Sequence, residues 1–140
     1  MKRFEFLDHT ADVILQGHGD TLAEAFAAAA DGLFAVITDL DRIAPTLDLD
    51  VAVEAIDREG LLVAFLSELI IRHEVDRIVA KDFAVVLEGD TRLAARGRGE
   101  KFDERRHECG MHVKAVSYHM IEVVAGGPGR PARVRVVLDV

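Results

Sequence analysis

The segment between Thr21 and Ile37 constrains the fold more than any other part of the chain. Thr21, followed three residues later by Glu24, forms a capping box, whose side chains satisfy the free amides of a first helical turn. Apolar residues then recur at helical spacing, at Leu22, Ala25, Phe26, Ala29, Leu33, Val36 and Ile37. A helix with such an apolar face has to be buried against another layer of structure.

A second helical pattern covers about residues 59–74, and the other periodic segments have the character of strands. These segments are 11–17, 48–55, 76–88, 91–98, 112–124 and 132–140. With 11–17 counted as the second strand, the order predicted along the chain is roughly β-β-α-β-α-β-β-β-β. Since the strands cluster after the helices, we expect a single α+β domain over residues 1–140, with two helices packed on a mostly antiparallel or mixed sheet.

Three strand segments carry more specific predictions. Residues 48–55 alternate apolar and acidic side chains, which indicates a strand with one solvated face. Gly89-Asp90 is a two-residue turn signal, so the segments on either side of it should form a hairpin. The run 112–124 is apolar on both faces, which predicts a central strand.

Composition narrows the class of protein. The chain has 140 residues, 50% of them apolar, and 17 Lys+Arg against 25 Asp+Glu give a net charge of −8 with a pI near 5.2. An acidic chain lacks the basic surface that a primary nucleic-acid binder requires. Cys109 is the single cysteine, and no signal peptide or long apolar run is present. These features predict a cytoplasmic protein in a reducing compartment, with no membrane partner.

The first candidate site is Asp8-His9-Thr10-Ala11-Asp12, which places two carboxylates and an imidazole within five residues. A turn in which Asp8 and Thr10 cap backbone amides is the alternative, and the residues alone favour it. The C-terminal Asp139-Val140 is the second candidate. Brought near Asp12, its oxygens would form a hard-oxygen site suited to calcium or magnesium, whereas the alternative is a frayed tail.

Histidines suggest two further sites. His107, Cys109 and His112 lack the paired spacing of a zinc site and include one thiol, so we expect no zinc and an ordinary charged loop. Ser117 and His119 share a strand face, but positions two apart start about 6.5 Å apart, too far for a nucleophile and its base. A lysine or histidine held in a cleft can still be functional.

Five stretches, in this order along the chain, resemble the sequence motifs of the archease family. They are Phe6-Leu7-Asp8-His9-Thr10-Ala11-Asp12, Gly17-x-Gly19-x-Thr21-Leu22-x-Glu24-Ala25-Phe26, Gly99-Glu100-x-x-Asp103-x-x-x-His107, Val113-Lys114-Ala115-Val116-Ser117-Tyr118-His119 and Asp139-Val140. The resemblance spans nearly the whole chain. The chain departs from the family pattern at three positions, where Trp is expected at Phe65, Asn at Ser67 and Thr at Ser117. None of the three is a proposed ligand.

The resemblance implies an accessory function. Archeases assist the RtcB-type RNA ligase, which joins cyclic-phosphate or 3′-phosphate RNA ends to 5′-hydroxyl ends with GTP, a divalent metal and a guanylylated histidine. A chain of this family would promote guanylylation and multiple turnover of that ligase in tRNA splicing and RNA repair. It would not catalyse ligation itself, and it would contact RNA only through the ligase.

The resemblance also assigns residues. Asp12 and Asp139 would be metal-binding carboxylates, and Val140 would contribute a main-chain oxygen. Lys114 would be a further functional residue, and the remaining candidates are Asp8, His9, His107 and His119. Calcium is the first choice of metal, with magnesium or manganese as alternatives.

Two other classes of function compete with this interpretation. A stand-alone metal-dependent hydrolase would use Asp12, Asp139 and a histidine, although no nucleophile and base have convincing spacing. A general modulator or chaperone would instead bind other proteins through an exposed apolar patch. Arg92, Arg96 and Arg98 could form a basic strip, but a solvated strand face is the favoured interpretation.

Overall fold

The computed structural model describes residues 1–7 and 12–140. Its strands are β1 Arg3–Leu7, β2 Val13–Gly19, β3 Leu47–Glu54, β4 Ile78–Glu88, β5 Arg92–Lys101, β6 Ala115–Val124 and β7 Ala132–Asp139. Its helices are α1 Leu22–Ile37 and α2 Arg58–Asp76, with one 3₁₀ turn at Leu40–Arg42. The predicted order of elements is confirmed.

Both helices begin where the sequence supplies a cap. The Glu24 amide donates to Thr21 Oγ1 at 3.2 Å, as the capping box predicts for α1. The Gly60 amide donates to Asp57 Oδ1 at 2.7 Å at the start of α2. In each case a side-chain oxygen satisfies one of the amides that a first helical turn leaves unpaired.

The strands form two antiparallel sheets where the sequence predicted one. The four-stranded sheet has the order β1-β2-β7-β6, and the three-stranded sheet has the order β3-β5-β4. Helix α1 packs against β2 and β7 of one sheet and against β4 of the other. The α+β class is confirmed, with α1 as the layer shared by the two sheets.

Small residues allow this close packing of α1. The helix is buried on all sides from Ala25 to Phe34, with alanine at five of those positions. A Cβ atom at Gly17 of β2 would overlap the Ala25 carbonyl oxygen and lie 2.9 Å from the Ala29 nitrogen. Glycine at position 17 therefore lets the helix backbone lie directly on the sheet.

The prediction of a central strand at 112–124 is wrong. Strand β6 begins at Ala115 and forms an edge of its sheet. Its register shifts between Ser117 and Glu122, and Met120 has a φ of 60°. Such a bulge interrupts the alternation of a strand, so apolar residues occur at successive positions although the strand is not buried on both faces.

The predicted hairpin at Gly89-Asp90 is confirmed, with a loop one residue longer than predicted. Glu88 pairs with Arg92, so Thr91 joins the two predicted turn residues. Gly89 has a φ of 61°, the left-handed conformation that glycine adopts without strain. Within the described residues, neither helix is long and apolar enough to cross a membrane.

Candidate functional site

Strand pairing brings the two carboxylates of the predicted metal site to one end of the four-stranded sheet. Val13, the first residue of β2, pairs with Leu138 of β7 in antiparallel register. Asp12 immediately precedes Val13, and Asp139 immediately follows Leu138. Asp12 and Asp139 therefore each lie one residue beyond the last pair of this ladder, at the same end of the sheet.

The neighbouring strand adds Lys114 to the same end. Ala115, the first residue of β6, pairs with Asp139, and the Lys114 amide donates to the Asp139 carbonyl oxygen at 2.7 Å. Asp139 therefore lies between Asp12 on one side and Lys114 on the other. Asp139 and Val140 are partly buried, and the Lys114 side chain is exposed.

The donor chemistry of this end suits a hard divalent cation. Asp12 and Asp139 offer carboxylate oxygens and Val140 a main-chain oxygen, the ligand types that calcium, magnesium and manganese accept. Over residues 1–7 and 12–140, no three His, Cys, Asp or Glu side chains group closely enough to hold a metal ion. The candidates Asp8 and His9 lie outside the described residues. The described donors therefore suit such an ion but form only part of a ligand set, with two carboxylates and one main-chain oxygen.

The 102–114 segment, which leads to Lys114, is fixed at its start by a buried carboxylate. Glu100 Oε2 accepts from the Ala44 amide at 2.7 Å and from His107 Nε2 at 2.8 Å, while Arg106 donates to both carboxylate oxygens. The Arg106 guanidinium is the largest cause that lowers the pKa of Glu100 to about 2, and the Ala44 and His107 hydrogen bonds lower it further. Glu100 is therefore ionised at neutral pH and joins the 3₁₀-turn region to this segment.

His107 uses both ring nitrogens within this network. Its Nδ1 accepts from the Asp103 amide at 2.8 Å, so Nε2 carries the proton that it donates to Glu100. The ring stacks on Phe102 with a centroid distance of 5.5 Å. His107 thus holds the 102–107 turn together, a role that its sequence position alone did not indicate.

Beyond His107 the segment follows the last turn of α1. The Gly110 amide donates to the Ile37 carbonyl oxygen at 2.8 Å, and the Met111 amide donates to the Val36 carbonyl oxygen at 2.9 Å. These bonds satisfy carbonyls that a helix end leaves unpaired. The segment that ends at Lys114 is therefore anchored at Glu100, at α1 and at Asp139.

Comparison with known proteins identifies the family. The family model described as the archease protein family (MTH1598/TM1083) matches residues 4–140. The chain belongs to the archease family. The curated protein archease of Pyrococcus furiosus is 41% identical over 133 residues, which cover 93% of this chain and 94% of that protein. The protein archease of Methanosarcina barkeri is 37% identical and covers 99% of this chain and 97% of its own.

Solved structures confirm the archease fold. The solution structure of Methanobacterium thermoautotrophicum protein 1598 is 33% identical, covers 98% of each chain and superposes with a TM-score of 0.81. The crystal structure of a Thermotoga maritima archease, described as a possible chaperone, is 19% identical with a TM-score of 0.64 and covers 96% of this chain and 94% of that one. At 19% identity, the similarity to the Thermotoga maritima structure supports the fold alone. The resemblance drawn from the five sequence stretches is thereby confirmed.

Other predicted features of this archease lie elsewhere on the fold. His119 is exposed on β6, and its amide donates to Ser117 Oγ at 3.0 Å. The arginines of β5 face acidic residues of β3: Arg92 contacts Glu54, Arg96 contacts Asp50, and Arg98 contacts Asp48. The favoured interpretation of that strip as a solvated strand face fits these pairs, because its charge is largely neutralised.

Sequence reasoning missed an apolar groove that begins at Asp12. The groove has a volume of about 500 Å³, and its described lining consists of Phe6, Leu7, Asp12, Val13, Ala35, Val36, Gly110 and Met111. Met111 is 54% exposed and Phe6 is 45% exposed, and both large apolar side chains line this one groove. Met111, an apolar residue within a charged and irregular segment, was the one sequence signal that could have indicated the groove.

Proposed function

We propose that this archease activates an RtcB-type RNA ligase, promoting its guanylylation and multiple turnover, through a divalent-metal-binding site at Asp12 and Asp139. The observation that carries the proposal is the β2–β7–β6 register, which gathers Asp12, Asp139 and Lys114 at one end of one sheet. Membership of the archease family supports it, because the resemblance of the stretches around Asp12, Lys114 and Asp139 to that family's motifs implies these roles.

The chain's own residues would hold and deliver the ion. Asp12 and Asp139 would bind it through their carboxylates, with the main-chain oxygen of Val140 as a further ligand. A bound divalent ion would supply positive charge that stabilises the phosphates of GTP. Lys114, exposed beside Asp139, would offer a second cationic group to the same phosphates. Positioning and charge neutralisation are most of what nucleotidyl transfer requires.

The decisive experiment is multiple-turnover RNA ligation by the cognate RtcB-type ligase, with GTP and metal, with and without this protein. We expect stimulation well beyond one product per ligase. Asp12→Asn and Asp139→Asn should each lower that stimulation by about tenfold or more, since cation affinity depends on the number of charged ligands. Asp41→Asn, at an exposed position on the 3₁₀ turn, is the matched control and should behave as wild type.

Two further measurements separate the alternatives. Calorimetric titration of the protein alone with calcium or manganese should show binding that Asp12→Asn weakens and Asp41→Asn does not. Equal stimulation by wild type and Asp12→Asn would contradict the metal-site part of the proposal. A general modulator would be favoured if an active, matched ligase were not stimulated and the protein suppressed the aggregation of unrelated proteins. A hydrolase would be favoured if this protein alone turned over a substrate.

A further inference from the structure

The apolar groove beside Asp12 is formed by three separate parts of the chain. Phe6 and Leu7 come from β1, Val36 from the last turn of α1, and Met111 from the 102–114 segment. Asp12 is the one charged side chain among the described residues that line it. The groove therefore joins an exposed apolar surface directly to the proposed acidic site.

The walls of the groove are held by backbone hydrogen bonds. Phe6 pairs with Leu15 and Leu7 with Ile14, so β1 is fixed to β2 along the first wall. The Met111 amide donates to Val36 at 2.9 Å, which fixes the second wall to α1. A groove between such elements needs little reorganisation to receive a partner, which lowers the entropic cost of binding.

The lining limits what the groove can bind. A small polar metabolite needs several placed hydrogen-bonding groups to orient it, and here the described side chains offer one carboxylate. A second copy of this chain would bring its own acidic end close to Asp12 and Asp139 in a two-fold contact, which like charges oppose. An apolar side chain on a basic protein surface needs few hydrogen-bonding groups from the groove, and the charge around it is attracted to the acidic end.

We propose that this groove is the docking site for an apolar side chain on a basic surface of the RtcB-type ligase. The inference rests on the proposed function and adds that binding and activation are carried out by different parts of the surface. The groove supplies affinity by burying apolar surface, and the adjacent carboxylates act on the bound ligase. Affinity and activation should therefore be separable by mutation.

The test measures both quantities with the full chain and the intact ligase. Calorimetry gives the Kd of the complex, and ligation at saturating protein gives the maximal stimulation. We expect Met111→Glu and Leu7→Glu each to raise the Kd at least tenfold while leaving the maximal stimulation within twofold of wild type. Asp12→Asn should show the reverse pattern, with a Kd near wild type and a low maximum.

Matched controls keep the result specific to the groove. Met111→Leu preserves an apolar side chain and should bind as wild type. Val86→Glu places the same new charge on β4, where Val86 is 63% exposed, and should also bind as wild type. Thermal unfolding of each variant checks that the fold is retained, and Leu7→Glu carries the test if Met111→Glu is unstable.

Other results would overturn the proposal in distinguishable ways. An unchanged Kd for both groove variants would remove the docking role while leaving the proposed function in place. A lower maximum at an unchanged Kd would assign the groove to activation. Groove variants that alter self-association in sedimentation, with the ligase Kd unchanged, would make a second copy the occupant. No measurable complex between wild type and ligase would remove the proposed function itself.

Discussion

Asp31 and Glu100 are both buried carboxylates, yet their surroundings move their pKa values in opposite directions. Burial is the main cause that raises the pKa of Asp31, even though it accepts from the Phe83 amide at 3.1 Å and pairs with Lys2 at 2.6 Å. Glu100 accepts hydrogen bonds from Arg106, Ala44 and His107, and its pKa falls to about 2. At Glu100 the Arg106 hydrogen bond outweighs burial, whereas at Asp31 burial outweighs the bonds from Lys2 and Phe83.

An Asp carboxyl ordinarily has a lower pKa than a Glu carboxyl, and Asp31 and Glu100 reverse this order. In a carboxyl-carbon NMR titration, we expect Glu100 to deprotonate near pH 2 and Asp31 to deprotonate above its ordinary value of 3.8. The physical reason is that Glu100 is stabilised as an anion whereas Asp31 is desolvated. A Glu100 midpoint above that of Asp31 would contradict the hydrogen-bond network around Glu100.

Replacing Glu100 also predicts a pH-dependent loss of stability. A folded-state pKa lowered from 4.5 to about 2 stabilises the protein fully above pH 4.5, and the contribution is lost as the pH falls towards 2. This lowering of the pKa corresponds to a stabilisation of at most about 3 kcal/mol, because the Arg106 side chain is half exposed and solvent screens its charge.

The measurement is denaturant unfolding of wild type and Glu100→Gln at pH 6 and pH 3. The difference in the free energy of unfolding should be up to about 3 kcal/mol at pH 6 and about half of that at pH 3. Glu88→Gln, at an exposed position at the end of β4, is the control and should change little at either pH. A difference for Glu100→Gln that stays constant with pH would contradict the assigned pKa.

At the scale of elements, the 102–114 segment connects the end of β5 to the start of β6 without regular structure of its own. It is ordered because its backbone amides and side chains bond to neighbouring elements, at Glu100, at the end of α1 and at Asp139. Lys114 therefore depends for its position on contacts more than ten residues earlier in the chain.

Gly110 is the position where this dependence can be tested. A Cβ atom there would overlap the Val36 carbonyl oxygen and lie 2.8 Å from the Ile37 carbonyl oxygen. We expect Gly110→Ala to displace the segment, to weaken two hydrogen bonds to α1, and to lower the free energy of unfolding by about 1–3 kcal/mol. Stimulation of the ligase should fall as well, because Lys114 would move.

The matched control is Gly127→Ala, since a Cβ atom at Gly127 would meet nothing within 4 Å. Its free energy of unfolding should stay within about 0.5 kcal/mol of wild type. Denaturant unfolding and the ligation assay measure both variants. Equal behaviour of the two variants would show that close packing at Gly110 does not position the segment.

At the scale of the whole molecule, the acidic charge of −8 favours a basic partner. The outer face of the three-stranded sheet carries cross-strand ion pairs, such as Arg96 with Asp50 at 2.6 Å, where the guanidinium lowers the pKa of Asp50. Such exposed pairs contribute little to stability. The proposed ligase contact would instead use the acidic end at Asp12 and Asp139.

This charge distribution predicts how the association depends on salt. Raising the ionic strength from about 0.05 M to about 0.3 M should slow association with the ligase by about tenfold or more, because salt screens long-range steering. The dissociation rate should change much less, since apolar burial in the groove is insensitive to screening. Stopped-flow measurement of both rates is the check, and a salt-independent association rate would argue against electrostatic steering.

The sequence by itself determined the local structure and the family. The Thr21–Glu24 capping box gave the start of α1, the alternation at 48–55 gave β3, and five motifs in order indicated the archease family. These features are readable because helix caps, periodicity and turn residues depend on neighbours within a few positions along the chain.

Only the tertiary structure decided which distant residues meet. The register between Val13 and Leu138 brings Asp12 and Asp139 to the same end of one sheet, and the pairing of β6 with β7 brings Lys114 to that end. The network of His107 and the groove beside Met111 also join elements that are far apart in sequence. Strand order and register depend on which faces of distant elements are buried together, and no local pattern specifies that.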